Sequence, residues 1–344
     1  MTTYIGLIGG GNITETHARA ARALPGVEIA AIYGTNAQKV ARLCHEHGGK
    51  PYSDLAQFLA HRPMHLVAIG SPSGLHAAHG IAAARCGLHV LTEKPIDITT
   101  ERADALIAEA DKAGVKLGVF FQDRCKPDIV RVKKALDSGV LGRPILADAR
   151  VKWFRSPDYY ANSRWRGTWA LDGGGALINQ AVHTVDLMLW LFGDVVSVQA
   201  KSKALLHAIE VEDTLVAFLE FANGALGTLQ ATTSAYPGYP RQLELTGSEG
   251  TLIIAQDRLF AADLRNPPAD LVCDEKADQN PSASSPVVSD VRGHQAVLDD
   301  FLQSIQNNTT PRCDGREGRR SLALVEAIYE ACRTGEPVRC TTTR

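Results

Sequence analysis

The sequence lacks an excess of charge of either sign and any paired cysteine motif. Over 344 residues the formal net charge is -2 and the pI is near 6.6, so there is no electrostatic footprint for nucleic acid and we expect no such partner. The 7 cysteines form no Cys-x-x-Cys pair, and their odd number argues against a disulfide framework and a structural zinc site. We therefore expect a reducing compartment and no bound metal.

The sequence also lacks a basic leader, an internal repeat and an apolar run long enough to cross a bilayer. These absences predict a cytoplasmic protein with no membrane partner. With 344 residues and 45% hydrophobic composition, the chain is long enough for two cores of typical domain size.

The first 120 or so residues alternate apolar strands with amphipathic helices. Strands are predicted at residues 4–8, 27–33, 66–69, 88–91 and 116–120. Helices are predicted between them at residues 14–24, 37–46, 75–84 and 99–113. This order predicts right-handed β-α-β units and a parallel sheet.

From residue 144 onward the pattern changes to longer strands with turns between them. Strands are predicted at residues 145–154, 195–204, 214–221, 225–233, 241–246 and 251–254, and helices at 293–306 and 318–333. Residues 266–289, rich in Pro, Ser and Asp, predict a long exposed excursion. We predict an α/β domain at 1–123 and an α+β domain with an open, mostly antiparallel sheet at 124–344, whose last helices can pack back on the first domain.

A glycine-rich turn separates the first predicted strand from the first helix. Gly9 permits the tight turn, Gly11 lets a pyrophosphate approach the backbone, and the amides of Asn12 and Ile13 open the helix toward the anion. Thr14 stands where a third glycine is usual, a position that serves helix packing. The turn therefore predicts a nucleotide site.

The end of the second strand bears on which nucleotide binds. Gly34, Thr35 and Asn36 stand where an NAD enzyme usually places a carboxylate, so no acid is present to repel a 2′-phosphate. Thr35, Asn36 and Lys39 could bond that phosphate, although none offers the bidentate grip of an arginine. The pattern favours NADP over NAD.

Lys94, in the run Glu93-Lys94-Pro95, follows the carboxyl end of an apolar strand. Open α/β sheets bind ligands at this edge, which makes Lys94 a candidate for proton exchange with a substrate hydroxyl. The alternative is a solvated lysine in a turn.

Three motifs occur in one order along the chain: the glycine turn, Glu93-Lys94-Pro95, and residues 173–186 with Asn179 and His183. In order and spacing they resemble the glucose-fructose oxidoreductase, inositol dehydrogenase and rhizopine-catabolism (Gfo/Idh/MocA) family, and residues 314–329 are similar to its final helix. The resemblance covers nearly the whole chain. It implies a Rossmann domain, NAD(P)-dependent hydride transfer on a sugar, cyclitol or related polyol, and a homodimer or homotetramer joined through the open sheet face.

Asn179 and His183 are spaced i, i+4 in a helix predicted over residues 175–191, with Asp186 near enough to touch the histidine. The alternative is a hydrogen-bonded core histidine. The family commonly has Asp where this chain has Asn179, and an amide cannot be a general base. Asn179 would then orient a hydroxyl, leaving proton transfer to His183 or Lys94. A subgroup related to nucleotide-sugar and amino-sugar dehydrogenases resembles this version.

Further site residues are suggested by the same resemblance. Ser71, Pro72 and His76 resemble the loop beside the riboses, with a helix cap as the alternative. Glu93 would orient Lys94 or bind the nicotinamide ribose. Gln122 and Arg124 would lie near the nicotinamide or substrate, with an ion pair at the domain junction as the competing interpretation.

Aromatic and basic residues concentrate between positions 153 and 169. Flat rings suit sugar faces and arginines suit hydroxyl or carboxylate groups, while packing is an equally good reason for about half of them. The substrate candidates here are Trp153, Tyr160, Trp165 and Arg166. Two other functions stay open: a redox-assisted glycosidase or lyase that recycles its NAD, and a non-catalytic nucleotide sensor.

Overall fold

The computed structural model describes residues 2–273, 283 and 290–340. The chain forms two compact units, Met1–Gln122 with Val288–Arg319, and Asp123–Val287 with Arg320–Arg344. Most of the excursion predicted at 266–289 lies outside the described residues. Among the helices described, none is both long and apolar enough to cross a membrane.

The first unit contains a six-stranded sheet whose strand pairs are all parallel. Its strands are β1 (Thr3–Ile8), β2 (Val27–Tyr33), β3 (Lys50–Tyr52), β4 (Leu66–Ile69), β5 (His89–Thr92) and β6 (Leu117–Val119). Its first five helices are α1 (Asn12–Arg22), α2 (Ala37–His47), α3 (Leu55–Leu59), α4 (His76–Arg85) and α5 (Thr100–Ala113). The order β3-β2-β1-β4-β5-β6 confirms the predicted parallel α/β class.

Local signals fix most of these elements. Strand β4 is buried along its whole length, as expected where helices cover both faces of a parallel sheet. Three helices begin at a side chain that accepts a backbone N–H: Asn36 for α2, Asp54 for α3 and Thr99 for α5. The sequence did not predict β3, because its three residues include Pro51 and carry no apolar run.

The second unit is built on an eight-stranded sheet. Its elements in chain order are α6 (Pro127–Asp137), β7 (Pro144–Lys152), α7 (Pro157–Ala161), α8 (Val182–Phe192), β8 (Val195–Lys203), β9 (Thr214–Phe221), β10 (Leu226–Thr232), β11 (Gln242–Gly247), β12 (Gly250–Ala255) and β13 (Arg258–Leu264). The last two helices and the last strand described are α9 (Arg292–Gln306), α10 (Gly315–Thr334) and β14 (Val338–Arg339). The order is β13-β12-β11-β7-β10-β9-β8-β14, and only β7 with β10 pairs in parallel among these strands, so the predicted mostly antiparallel sheet is confirmed.

One face of this sheet is buried and the other is open. Along β9, Leu215, Ala217 and Leu219 are buried, whereas Val216 and Phe218 are exposed. This period of two places alternate side chains on opposite faces. Helix α8 packs on strands β7 and β11 of the same sheet.

Helix α9 belongs to the first unit, where it packs on α1. Its Phe301 is buried against Gly118 of β6, and a Cβ at Gly118 would lie 2.8 Å from the ring. Helix α10 begins in the first unit and ends in the second, because the division falls between Arg319 and Arg320.

The single helix predicted over residues 175–191 is wrong in its first turns. Residues Ala176–Ala181 form a π-helical segment, and the α-helix proper starts at Val182. A π segment has a wider turn than an α-helix, so the 3.6-residue spacing used for the prediction does not describe residues 176–181.

Candidate active site

The glycine turn of the first unit has the shape that an anion requires. Gly9 has φ +133°, and a Cβ there would overlap Thr14 Oγ1 and Gly70 O, so only glycine fits. Gly11 caps α1, and nothing lies within 4 Å of the position of a Cβ there. Thr14 is fully buried against this turn, as predicted for a packing position. The open space at Gly11 and the start of α1 fit a dinucleotide pyrophosphate.

Thr35, Asn36 and Lys39 are all exposed at the end of β2 and the start of α2. Asn36 Oδ1 accepts the Lys39 N–H at 3.0 Å, so its side chain caps α2. Gly34 is buried, and a Cβ there would lie 2.9 Å from Val40 Cγ2. Packing and capping account for two of these residues, and nucleotide contact at this edge stays a prediction.

His76 ties the loop after β4 to the Lys94–Pro95 segment. Its Nδ1 is 2.8 Å from Pro95 O, its Nε2 is 2.9 Å from Ser71 O, and it is 1% exposed. These are the contacts of a buried structural group. The helix cap given as the alternative is wrong, because no side chain caps the 3-10 turn Ser73–Leu75 or helix α4. Ser71 Oγ also bonds His79 Nδ1 at 2.9 Å, and burial lowers the pKa of His79 to about 4.

Glu93 is buried and holds the backbone of Lys94. Its Oε1 is 2.9 Å from His17 Nε2 and 3.2 Å from His294 Nε2, while its Oε2 accepts the Lys94 N–H at 3.2 Å. Burial alone would raise the pKa of Glu93, but the hydrogen bonds and charges of the two histidines hold it well below its usual range. Of the two predicted roles for Glu93, the contacts support orienting Lys94.

The His17–Glu93–His294 cluster has the composition of a metal site, but its hydrogen bonds are those of two histidines that donate to one carboxylate. In the described part of the chain, Nδ1 of both histidines is buried without a hydrogen-bond partner. A metal-bound histidine donates its other N–H to an acceptor, which neither ring has there. The protons therefore sit on the two Nε2 atoms facing Glu93, and burial lowers the pKa of His17 in keeping with a neutral ring.

Gln122, the last residue of the first unit, has an available acceptor. Its Oε1 is buried and has no hydrogen-bond partner among the described residues. Buried polar groups are nearly always paired, so an unpaired amide oxygen points to a missing donor. The carboxamide N–H of a nicotinamide is such a donor.

In the second unit, a carboxylate lies beside the imidazole of His183. His183 Nδ1 is 3.5 Å from Asp123 Oδ2, and Asp123 is buried. The same oxygen accepts Arg241 Nη2 at 2.6 Å, and Lys126 Nζ is 3.4 Å from Asp123 Oδ1. Asp257 completes the network through ion pairs with Arg241 and Lys126.

Asp123 is a fixed anion within this network. Burial would raise its pKa, but the charges of Arg241, Lys126 and His183 hold it far below its usual range. The sequence pattern did not connect Asp123 with His183. No feature of the sequence singled out Asp257 for this network. Its left-handed backbone (φ 67°) belongs to the turn between β12 and β13.

Arg124 does not have the substrate-facing role that was predicted. It is 1% exposed, and its Nε and Nη2 each donate to Asp186 at 2.7 Å. Asp186 also accepts Ser321 Oγ at 2.9 Å, so the acid expected to lie near His183 binds both Arg124 and Ser321. The competing interpretation of Arg124, an ion pair, is the one that the structure supports.

Asn179 has a fixed amide orientation. Its Nδ2 donates to Asp172 Oδ1 at 2.5 Å, and its Oδ1 accepts Gln180 Nε2 at 2.8 Å. Asp172 is buried and also accepts the Gly167 N–H at 2.9 Å. A carboxylate is thus present next to Asn179, supplied by a residue that the sequence pattern did not single out.

The turn Gly173–Gly175, before the π segment, rests on a buried acid. Glu212 accepts the Gly175 and Leu177 N–H groups at 3.0 and 2.8 Å, and the Tyr329 hydroxyl at 3.0 Å. A Cβ at Gly174 would overlap the Tyr329 hydroxyl, and one at Gly175 would overlap Glu212 O. Burial raises the pKa of Glu212 to about 7, against the lowering effect of these hydrogen bonds.

The aromatic candidates divide into buried and accessible groups. Trp153 is 8% and Tyr160 is 9% exposed, and the Tyr160 hydroxyl bonds Thr233 Oγ1 at 2.9 Å, so packing explains both. Trp165 and Arg166 are half-buried and stack, with the guanidinium carbon 5.1 Å from the Trp165 ring centroid.

Comparison with known families agrees with this geometry. Residues 3–121 match the oxidoreductase family with an NAD-binding Rossmann fold, and residues 129–253 match the GFO/IDH/MocA C-terminal domain. The chain belongs to the Gfo/Idh/MocA oxidoreductase family. It is therefore an oxidoreductase with an NAD-binding Rossmann domain, as the sequence motifs predicted.

Similar proteins include a dehydrogenase bound to a nucleotide sugar and dehydrogenases named for a sugar and for a cyclitol. The structure of the WlbA dehydrogenase from Bordetella pertussis, in complex with NADH and UDP-GlcNAcA, is 33% identical with a TM-score of 0.90, over 99% of this chain and 98% of that one. D-Apiose dehydrogenase of Paraburkholderia graminis is 26% identical over 96% of this chain and 88% of its own. Myo-inositol 2-dehydrogenase of Thermotoga maritima is 25% identical over 93% of each.

Proposed function

We propose that this protein transfers a hydride between nicotinamide and a carbinol or carbonyl carbon of a sugar, cyclitol or sugar derivative. The observation that carries the proposal is the His183–Asp123 pair, because an imidazole backed by a fixed carboxylate is suited to exchanging a hydroxyl proton. The relatives named above, which include dehydrogenases of an apiose and an inositol, support the substrate class.

The residues of each unit have separate tasks in this reaction. When bound, the nicotinamide accepts or supplies the hydride. Gly9, Gly11, Asn12 and Ile13 hold the pyrophosphate, and Gln122 accepts a carboxamide N–H. His183 and Lys94 are the candidate acid/base groups, with Glu93 fixing the Lys94 backbone. Asn179 orients the substrate hydroxyl through an amide that Asp172 holds in place.

We further propose that the enzyme accepts NADP as well as NAD. Thr35, Asn36 and Lys39 are exposed at the end of β2, and Lys39 supplies a positive charge there. The two cofactors measured in parallel test this, and NADP turnover below about 1% of NAD turnover would contradict it.

A screen of sugars, cyclitols and sugar acids by NAD(P)H absorbance tests the function. A positive substrate is then assayed with Lys94→Ala and His183→Ala, which should bind NADH normally and lose about 10²- to 10⁴-fold in kcat. Asn179→Ala should damage KM at least as much as kcat. Near wild-type turnover in Lys94→Ala and His183→Ala would reject their roles, and cleavage of a glycoside without net NADH formation would show the redox-assisted lyase instead.

A further inference from the structure

Arg166 is held in place by aromatic rings rather than by a carboxylate. Its guanidinium carbon is 4.5 Å from the Tyr159 ring centroid and 5.1 Å from that of Trp165. Within the described residues, Arg166 takes part in no ion pair, and its Nε is buried without a hydrogen-bond partner. A stacked guanidinium keeps its charge and its in-plane donors available for another group.

The backbone around Arg166 is fixed by local hydrogen bonds. Ser163 Oγ accepts the Arg166 N–H at 3.2 Å, and Thr168 Oγ1 donates to Trp165 O at 2.7 Å. The next residue, Gly167, donates to Asp172 at 2.9 Å, the acid that also holds Asn179. The cation is therefore presented by an ordered turn, which reduces the entropy lost when a ligand binds.

A second cation, Arg155, also lies near the ring of Tyr159. The Arg155 guanidinium carbon is 5.7 Å from the Tyr159 ring centroid, and Arg155 Nη2 donates to Gln180 Oε1 at 2.9 Å. Burial lowers the pKa of Arg155, and the charge of Arg166 lowers it further. Two guanidinium groups near one ring repel each other, and an anion bound between them and solvent would relieve that repulsion.

The stack connects directly with the proposed hydroxyl-binding residue. Gln180 Nε2 donates to the Tyr159 hydroxyl at 3.0 Å and to Asn179 Oδ1 at 2.8 Å. Arg166 is thus linked to Asn179 through only Tyr159 and Gln180. A ligand that offers a hydroxyl to Asn179 and carries an anionic group a few atoms away would reach both.

We propose that Arg166, stacked on Tyr159 and Trp165, forms an anion subsite, and that the substrate is an acidic sugar derivative. This inference rests on the proposed function, and it adds the charge of the substrate. The anionic group is a carboxylate, as in a uronic acid, or a phosphate, as in a nucleotide sugar, since a guanidinium binds both in bidentate fashion.

The test compares four ligands in two pairs, and the members of each pair differ by one carboxylate. Glucose carries none, glucuronate carries a carboxylate, UDP-GlcNAc carries a diphosphate and UDP-GlcNAcA carries both. Each is assayed with NAD and the full chain, as wild type, Arg166→Gln and Arg164→Gln. Arg164 is the matched control, because it is an exposed arginine two positions away.

For the anion that binds this subsite, Arg166→Gln should reduce kcat/KM by about 10- to 100-fold, chiefly through KM, and change glucose turnover by less than about twofold. Arg164→Gln should leave all four unchanged. Glucuronate affected without UDP-GlcNAc identifies a carboxylate subsite, and the reverse identifies a phosphate subsite. An equal effect of Arg166→Gln on neutral and anionic ligands would overturn the proposal.

Calorimetric titration of the NADH-loaded protein separates this inference from the proposed function. If no compound of the sugar, cyclitol and sugar-acid screen is turned over, the dehydrogenase proposal fails, whereas anion binding that Arg166→Gln weakens still supports the subsite. If binding of the anionic ligands is the same in wild type and Arg166→Gln, the subsite is rejected whether or not turnover is seen.

Discussion

Individual side chains in this protein were predictable where their partners are close in sequence. Gly9, Gly11 and Thr14 belong to one turn, so the β1–α1 context alone indicated their roles. The partners of Glu93 could not be predicted in this way, because His17 and His294 are 76 and 201 residues away. Pairings of this kind depend on which elements pack together, and the residue pattern around Glu93 does not contain that information.

The pairing of His183 with Asp123 has a direct consequence at the residue scale. Asp123→Asn keeps the side-chain shape but removes a negative charge. The Asp123 carboxyl group is ionised across the assay pH range, since its pKa is far below the usual range. Loss of a nearby anion disfavours the imidazolium. We expect kcat to fall about 10- to 100-fold with little change in KM, and the acidic limb of the pH-rate profile to move to lower pH.

Asp257→Asn is the matched control for this experiment. Asp257 pairs with the same Arg241 and Lys126, so its loss disturbs the same buried network without removing the carboxylate beside His183. Tm and NADH affinity measured for both variants account for damage to the fold. If Asp257→Asn alters kcat and the pH profile as much as Asp123→Asn does, the role of Asp123 is only structural.

At the scale of elements, regular strands were predicted correctly from their sequence patterns, whereas the irregular π segment was not. The alternation along β9 and the apolar run of β4 are local, and the predicted bounds of both strands, 214–221 and 66–69, agree with the structure. The π segment Ala176–Ala181 was predicted as ordinary α-helix. Its start is fixed by two residues that are distant in sequence. Glu212 and Tyr329 both accept the Gly175 N–H, and the Tyr329 hydroxyl donates to Glu212.

Glu212 makes the stability of this element dependent on pH. Its pKa is raised from 4.5 in the unfolded chain to about 7 by burial, so the folded state binds the proton more tightly. The stabilisation is therefore fully present below pH 4.5 and is lost as the pH rises through 7. The shift corresponds to at most about 3 kcal/mol of unfolding free energy.

Glu212→Gln should remove this dependence, because an amide does not ionise. The Tm of the variant relative to wild type should rise between pH 5 and pH 8, measured by thermal melts at half-unit intervals. Acids with lowered pKa values, such as Asp123 and Glu93, contribute equally to both proteins and cancel. Glu210→Gln, an exposed neighbour, should give a constant difference. Parallel curves for wild type and Glu212→Gln would reject the assignment.

At the scale of the whole molecule, the sequence predicted both sheet types, because each depends on repeated local patterns. It predicted one exposed sheet face, and the second unit has one. On that face Phe218 is 64%, Val216 is 43% and Leu226 is 58% exposed. Adjacent exposed apolar side chains of this size usually mark an interface.

We expect a second copy of this chain to cover that face, giving a dimer or tetramer. Phe218 pairs across the sheet with Thr228 on β10 and Gln199 on β8, so it lies on an internal strand rather than on an edge strand. A lysine there would bury a charge in the interface, which is strongly unfavourable without a partner. Phe218→Lys should therefore elute at the mass of one chain, 37.0 kDa, in light-scattering chromatography at micromolar concentration.

Val130→Lys distinguishes loss of the interface from a general effect of added charge. Val130 is also exposed, at 37%, but it lies on α6 and not on the sheet. Val130→Lys should keep the wild-type mass. Both variants should keep the fold of the single chain, so any loss of Tm should be limited to the contribution of the interface, which depends on protein concentration. A wild-type protein that is already monomeric at 37.0 kDa would contradict the prediction outright. An oligomer that survives Phe218→Lys would place the interface on another surface, and the apolar face of the sheet would then need a different partner to cover it.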